Sequence, residues 1–270
     1  MSNAKVLHFW KMQGTGNDFV VFDNRRGKYK NLAKLTVRLC NRKTGIGADG
    51  VLVVEKSAIL DFKMRIFNSD GSEAEMCGNG ARCIVRYAYE NSIIGTTTAF
   101  ETKAGTIEGR VIDSQWVEVK LTDPHGIKLG LEIIAGGRRY TAYFVNTGVP
   151  HAVIYTTQLQ KVNVNGLGRL VRYHKKFSPA GTNVNFVQIE DGHTISVRTY
   201  ERGVEAETLA CGTGSTAAAI ISGVLNKVEP PVTVITSSGE KLKVKYNLDK
   251  LGLVYLTGKV QTSFTGEIKI

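Results

Sequence analysis

Cysteine is scarce in this chain: Cys40, Cys77, Cys83 and Cys211 are the only four in 270 residues. That is too few for a disulfide framework at this length, so reduced thiols are the natural reading. Zinc-ligand spacing is missing as well. Cys77 and Cys83 are too far apart for a Cys-x-x-Cys pair and no His-x-His pair supplements them, which argues against a metal site. No uncharged run approaches the roughly 18 residues that cross a bilayer, which argues against a membrane protein. The start of the chain, "MSNAKVLHFW", lacks the basic residues, apolar stretch and small-residue cleavage site of a secretory leader. A cytoplasmic protein is therefore expected. Lysine and arginine exceed acidic residues by 35 to 24, a net charge of +11, but the excess is scattered. Only "NRRGKYK" (24–30), "GRR" (137–139) and "YHKKF" (173–177) cluster locally. None is a known nucleic-acid motif, so the charge reads as solvated surface and no nucleic-acid partner is expected.

The chain does have many short alternating apolar runs. "FVVFD" (19–23), "GVLVVEKS" (50–57), "FKMRIFN" (62–68), "TIEGRVID" (106–113) and "WVEVKL" (116–121) read as strands in the first half. The second half continues with runs at 140–148, 151–155, 184–190, 194–201, 232–237, 241–247 and 253–260. Three helices are expected. One covers 31–42, and the other two follow Cys77 and Cys211, where Ala81, Ile84, Val85, Ala88 and Ala217, Ile220, Ile221, Val224 fall at helical spacing. Strand outweighs helix, giving a mixed α+β (α/β) chain.

The surroundings of two cysteines repeat. "GSEAEMCGNG" (71–80) and "GVEAETLACGTG" (203–214) share a glycine, an acidic pair, a cysteine and two further glycines, and differ by two inserted residues. The copies lie half a chain apart, which points to duplication into two pseudo-symmetric lobes. The boundary falls near Asp123-Pro124-His125-Gly126, dividing the chain into 1–122, joined by a C-terminal strand at 259–270, and 123–258.

Each cysteine stands where a helix begins. A helix N-terminus presents unpaired backbone N–H groups and about half a positive charge, so it attracts anions and favours a thiolate. Glycine lets a carboxylate or phosphate approach that backbone closely. A phosphate loop needs Lys-Ser or Lys-Thr after the glycines, but Ala81-Arg82 and Ser215-Thr216 follow here. A dithiol redox centre needs close cysteines, and a thiol protease needs one nucleophile with a base. Neither explains two equivalent copies. Inverting a stereocentre does explain them, because it requires a base on one face of a carbon and an acid on the other. Cys40, on an apolar helix face, and Cys83, inside a helix, read as core thiols.

"FNSDGSEAEMCGNGARC", "ERGVEAETLACGTGS", "GTGNDFVVFD" and "GTNVNFV" closely resemble the diaminopimelate epimerase family, in this order and over nearly the entire chain. The Cys-Gly-x-Gly element alone is shared with proline-racemase-like enzymes. The resemblance implies two similar lobes, each a central helix wrapped by mostly antiparallel strands, with the active site in the cleft between them. It implies interconversion of LL- and meso-diaminopimelate in the lysine and peptidoglycan pathway, with no pyridoxal phosphate or other cofactor and no metal. Cys211 would take the α-proton of the LL substrate and Cys77 would protonate the opposite face. Gly78 with Asn79, and Gly212 with Thr213, would hold the α-carboxylate. His151 and Glu201 would tune the thiols. Asn17, Asn68, Asn183, Glu201 and Arg202 would contact substrate, with the Arg202 fork on the distal carboxylate. A homodimer is implied, with Phe264 at its contact. The chain departs from the family at Gly50, where some members carry glutamine, and at Val149, where many carry asparagine. Racemisation of another amino acid by the same cysteine pair is the alternative that these departures leave open.

Overall fold

The computed structural model describes residues 5–247 and 252–270, so the first four residues of the N-terminal stretch read above lie outside it. Two compact units emerge, Met1–Val119 with Gly258–Ile270, and Lys120–Thr257.

In the first unit β1 (Val6–Gly14) and β2 (Asn17–Asp23) form a hairpin whose turn, Thr15-Gly16, has positive φ at both residues. A crossover through α1 (Leu32–Cys40) makes β3 (Gly50–Glu55) parallel to β2, and β4 (Phe62–Asn68) returns antiparallel. The two-residue β5 (Glu73–Ala74) runs back along β4 and leads into α2 (Gly78–Glu90). Then β6 (Thr97–Thr102) lies parallel to β4, and β7 (Gly105–Val111) and β8 (Trp116–Lys120) follow as an antiparallel meander.

The second unit repeats that plan after an opening strand, β9 (His125–Ala135). A tight pair, β10 (Arg138–Asn146) and β11 (Pro150–Tyr155), is followed by a crossover through α3 (Val164–Arg172) to β12 (Asn183–Asp191), parallel to β11. Antiparallel β13 (Thr194–Glu201) and short β14 (Ala206–Thr208) lead into α4 (Gly212–Val224). Next come β15 (Val232–Ile235), parallel to β13, and antiparallel β16 (Lys241–Asn247). The chain ends in β17 (Gly252–Lys259) and β18 (Gln261–Lys269). The strand outside β1 is β18, from the far end of the sequence, whereas the strand outside β10 is its sequence neighbour β9.

Strand alternation sorts the two layers of each core. On β3, Val51 and Val53 join Leu32, Leu39 and Cys40 of α1, while Leu52 between them faces the first turn of α2. On β12, Val184 and Phe186 pack with Val164 and Val171 of α3, while Asn185 faces α4. Strands surround α4 so completely that residues 214–223 are all buried, and each fully buried isoleucine there stabilises the fold by roughly 1.5–3 kcal/mol. Close approach needs small residues. A Cβ on Gly223 would lie 2.2 Å from the Tyr246 hydroxyl, which donates to the Ala219 carbonyl at 2.9 Å.

The periodic pattern did not reveal α3, because two glycines in "VNGLGRLVR" depress its helix propensity. Tertiary contacts override that preference. Asn163 caps the helix by accepting the Gly166 N–H at 2.9 Å, and Gly168 lets it press on Tyr200. The C-terminal strand expected at 259–270 is β18, whereas the glycine-containing β9 gave no strand signal, since pairing with β10 and not composition makes it a strand. Among the described residues no helix is long and apolar enough to cross a membrane.

Candidate active site

Extended backbone carries the chain through Cys77 (φ −145°, ψ 122°) and then turns into α2. The first turn of that helix contains no acidic residue, which preserves its positive end. The Cys77 thiol donates to Asn17 Oδ1 at 3.8 Å. Asn17 is turned this way by Asp49, whose Oδ2 accepts its amide N–H at 2.8 Å. A carboxylate can only accept, so the amide must present nitrogen to Asp49 and oxygen to the thiol. Asp49 and Asp18 are bridged by Arg42, and Lys11 reaches Asp18 at 2.7 Å. Burial pushes the Asp18 carboxyl up, but hydrogen bonds from Arg42 and Lys11 outweigh it and hold the group at about 2.

Asn79 is buried at the start of α2, and its oxygen accepts from Arg82 Nη2 at 2.8 Å. The same nitrogen donates to Thr15 Oγ1 at 2.8 Å, and Nη1 donates to the Gly78 carbonyl at 3.2 Å. Arg82, with no exposed surface, thus ties the β1–β2 turn to the cysteine helix. Asn68 stands at the exposed end of β4, opposite Gly50, where its amide donates to Ser72 Oγ at 3.0 Å. Gly50 has no room for a side chain, since a Cβ would lie 2.6 Å from the Phe67 carbonyl oxygen.

At α4 the cysteine makes a different cap. Cys211, 8% exposed, accepts the Gly214 N–H at 3.4 Å and lies 3.4 Å from the Thr213 hydroxyl. Thr147 Oγ1 donates to the Thr213 carbonyl at 3.1 Å, tying the β10–β11 turn to this helix. Beside it, β11 and β12 pair His151 directly with Asn183. The Asn183 amide donates to the Pro150 carbonyl at 3.0 Å and its oxygen accepts the Arg202 N–H at 2.8 Å. The Arg202 guanidinium meanwhile donates to the Ala180 carbonyl at 3.3 Å. His151 is fully buried, and burial together with the Arg202 charge pushes it down to about 3, so its ring is neutral at pH 7. Burial pushes the Glu201 carboxyl up, with neighbouring Thr208 acting in the opposite direction.

The residues singled out from sequence therefore form two groups. Cys77, Gly78, Asn79 and Asn17 meet at the start of α2, with Asn68 on the adjoining strand end. Cys211, Gly212 and Thr213 begin α4, and His151, Asn183, Glu201 and Arg202 line the strands beside it. Sequence reasoning missed Arg82, Asp49, Thr147 and Asn185. The "CGNGAR" run was the only available signal for Arg82, since an arginine one turn into a buried helix needs acceptors nearby. Cys40 and Cys83 are buried, and desolvation pushes them up to about 11 and about 12, as inert core thiols require. Among the described residues no cluster of three or more His, Cys, Asp or Glu side chains could hold a metal ion.

A family model described as diaminopimelate epimerase matches residues 9–126 and 143–263. The chain belongs to the diaminopimelate epimerase family. Its relatives include a diaminopimelate epimerase of Aquifex aeolicus, 47% identical over 97% of this chain and 98% of the relative. Another, from Hydrogenobaculum, is 45% identical over 95% of this chain and 96% of its own length. Two more distant solved structures share the fold. A PhzF-family phenazine biosynthesis protein of Bacillus anthracis superposes with a TM-score of 0.76 at 15% identity, covering 98% of this chain and all of its own. A hydroxyproline epimerase of Agrobacterium vitis gives 0.71 at 16% identity, covering 100% and 94%. Within the family framework Val149 stands in the turn that Thr147 closes on it, with the Thr147 N–H donating to the Val149 carbonyl at 3.1 Å.

Proposed function

We propose that this protein interconverts LL- and meso-diaminopimelate by proton transfer between two cysteines and the α-carbon. As base, the Cys211 thiolate takes the α-proton of the LL substrate, and as acid the Cys77 thiol delivers a proton to the opposite face. In the return direction the roles exchange. The doubled cysteine-capped helix start, Cys-Gly-x-Gly in two units of the same strand plan, carries this reading. One helix end would counter the negative charge that develops as the proton leaves, and two ends supply donors for both sides of a planar intermediate. Hydrogen bonding supports the direction given: Cys77 donates to Asn17, while Cys211 accepts from a backbone N–H.

In this reading Gly78, Asn79, Gly212 and Thr213 hold the α-carboxylate, and His151 and Glu201 adjust proton affinity around the thiols. Asn17, Asn68, Asn183 and Arg202 contact the substrate, with Arg202 on its distal carboxylate. We place the activity in the cytoplasm, in lysine and peptidoglycan precursor synthesis, and in a homodimer whose contact includes Phe264. That ring is half-exposed and packs edge-on against Phe9 at 6.0 Å. Size-exclusion chromatography with light scattering checks the dimer.

Incubation of either epimer in deuterated water tests the chemistry. The α-proton signal should disappear as the other epimer forms, and Cys77→Ala and Cys211→Ala should both abolish interconversion. Brisk epimerisation by either variant overturns the two-thiol assignment. The second reading, racemisation of a different amino acid, is favoured by the lack of any polar side chain at Gly50 and Val149. A screen of amino acids for α-deuterium exchange separates the two.

A further inference from the structure

His151 carries a buried ring nitrogen, Nε2, that has no hydrogen-bond partner among the described residues. Its other nitrogen, Nδ1, lies 3.2 Å from Asn185 Nδ2. The chemistry of the neighbours settles which atom donates. Asn185 Nδ2 is also 3.0 Å from the Ala152 carbonyl oxygen, and a carbonyl can only accept. The nitrogen of this amide must therefore be on that side. On the other side its oxygen accepts from Thr199 Oγ1 at 2.9 Å. With one amide hydrogen on Ala152, the second points at His151 Nδ1, which must then be the unprotonated, accepting nitrogen of a neutral ring.

Comparison with the first unit shows that this arrangement is not needed to build the fold. The register that pairs His151 with Asn183 and Asn185 with Thr199 pairs Phe19 with Gly50 and Leu52 with Ile66. Phe19, Leu52 and Ile66 are buried hydrocarbons in the same three positions that His151, Asn185 and Thr199 occupy beneath α4. The second glycine of each cysteine motif packs on the middle residue of the three. A Cβ on Gly80 would lie 2.9 Å from a Leu52 methyl, and a Cβ on Gly214 would lie 2.3 Å from Asn185 Oδ1. One unit thus closes its helix start over an apolar floor and the other over a buried polar one. A buried donor left without a partner is costly, and folds retain one where a ligand completes it.

Resting on the function proposed above, we infer that Asn185 is a positioning residue that locks His151 as the neutral Nε2–H tautomer, so that the ring offers substrate a hydrogen-bond donor and not a base. Thr199 fixes the amide, the amide fixes the ring, and Nε2–H takes a carboxylate oxygen of the amino-acid substrate, opposing the charge that builds as the α-proton leaves. The depressed proton affinity of the ring supports this, since a neutral donor is available throughout the neutral range.

Long-range proton–nitrogen correlation spectra of the full-length protein, labelled with nitrogen-15 in its histidines, read the tautomer directly. His151→Gln assigns the signal. Pyrrole-type Nε2 and pyridine-type Nδ1 are expected at pH 7, without substrate and without reference to activity. A protonated Nδ1 in the native protein overturns the inference, whether or not the protein epimerises diaminopimelate. Asn185→Asp supplies the second test, because a carboxylate can only accept and should move the ring proton to Nδ1. The expected result is that shifted nitrogen pattern together with a fall in kcat of about 10- to 100-fold, as for other residues that orient an imidazole from behind. An Asn185→Asp protein that keeps Nε2–H, or that changes tautomer with kcat unaltered, refutes the role. Failure of the native protein to epimerise diaminopimelate, with the expected tautomer observed, would instead count against the substrate reading alone.

Discussion

Beneath the first turn of α2 lie Phe19, Leu52 and Ile66; beneath the first turn of α4, in the same register, lie His151, Asn185 and Thr199. The backbone plan of the two units is the same, from the hairpin through the short pre-cysteine strand to the buried helix. Their side chains have diverged where the helix ends meet the strands. Near α2 the polar groups stand to one side, in the Asn17, Asp49, Arg42, Asp18 and Lys11 network that orients an acceptor toward the Cys77 thiol. Near α4 they lie in the floor itself. A duplicated backbone can therefore deliver two thiols at two helix ends while leaving each with its own proton environment.

Removing a thiol is the severest way to break this comparison. If the two units are halves of one device, Cys77→Ala and Cys211→Ala each lower kcat by about 10³-fold or more, within the range for loss of an acid or base. Polarimetric or chromatographic epimer assays measure it, and a large loss in one variant with near-normal rates in the other would break the equivalence. Next in size is the contrast between the second glycines. Gly214→Ala forces a methyl onto the Asn185 oxygen and should destabilise the protein by about 2–3 kcal/mol in urea denaturation. Gly80→Ala meets movable Leu52 and Ile66 methyls and should cost about 1 kcal/mol or less, part of the strain being offset by better helix propensity. Equal losses at the two sites would remove the distinction between the floors.

Acid sharpens the comparison further. His151 is held at about 3 against an ordinary value of 6.5, so below pH 6.5 the unfolded chain binds a proton that the folded one refuses. Stability is then lost as pH falls from 6.5 toward 3, by about 2 kcal/mol between pH 6 and 4.5. His151→Gln should flatten that part of the stability curve, measured by denaturant titration at each pH. Asp18 acts lower on the scale: its depressed carboxyl stabilises the fold above about pH 4, and that contribution fades toward pH 2. An unchanged slope in His151→Gln would show that the ring is not buried in its neutral form. The smallest effect is expected at Thr213. Its hydroxyl stands 3.4 Å from the Cys211 sulfur, so Thr213→Ser should keep kcat/KM within about twofold, as loss of one methyl requires, while Thr213→Val should fall further.

Much of this was legible in the linear chain because it is local. A cysteine before Gly-x-Gly and an apolar helical period needs only its own neighbours to become a helix N-cap, and both helices begin at Gly78 and Gly212. Short alternating runs were legible for the same reason, since a strand with one buried face writes its period into adjacent residues. Less visible was α3 with its two glycines, an element decided by contacts distant in sequence such as Gly168 against Tyr200. The role of Arg82 was not legible either, because one of its acceptors, Thr15, lies far away in sequence, beside the local Asn79 side chain and Gly78 carbonyl.

By itself the sequence determined that the chain holds two copies of a cysteine-capped helix start, because the motif, its glycines and its spacing are contained in a dozen consecutive residues. Only the tertiary structure decided that the copies differ beneath those helices. His151, Asn185 and Thr199 lie on three separate strands, and whether three such residues meet depends on parallel and antiparallel register, which a one-residue slip would turn to the opposite face.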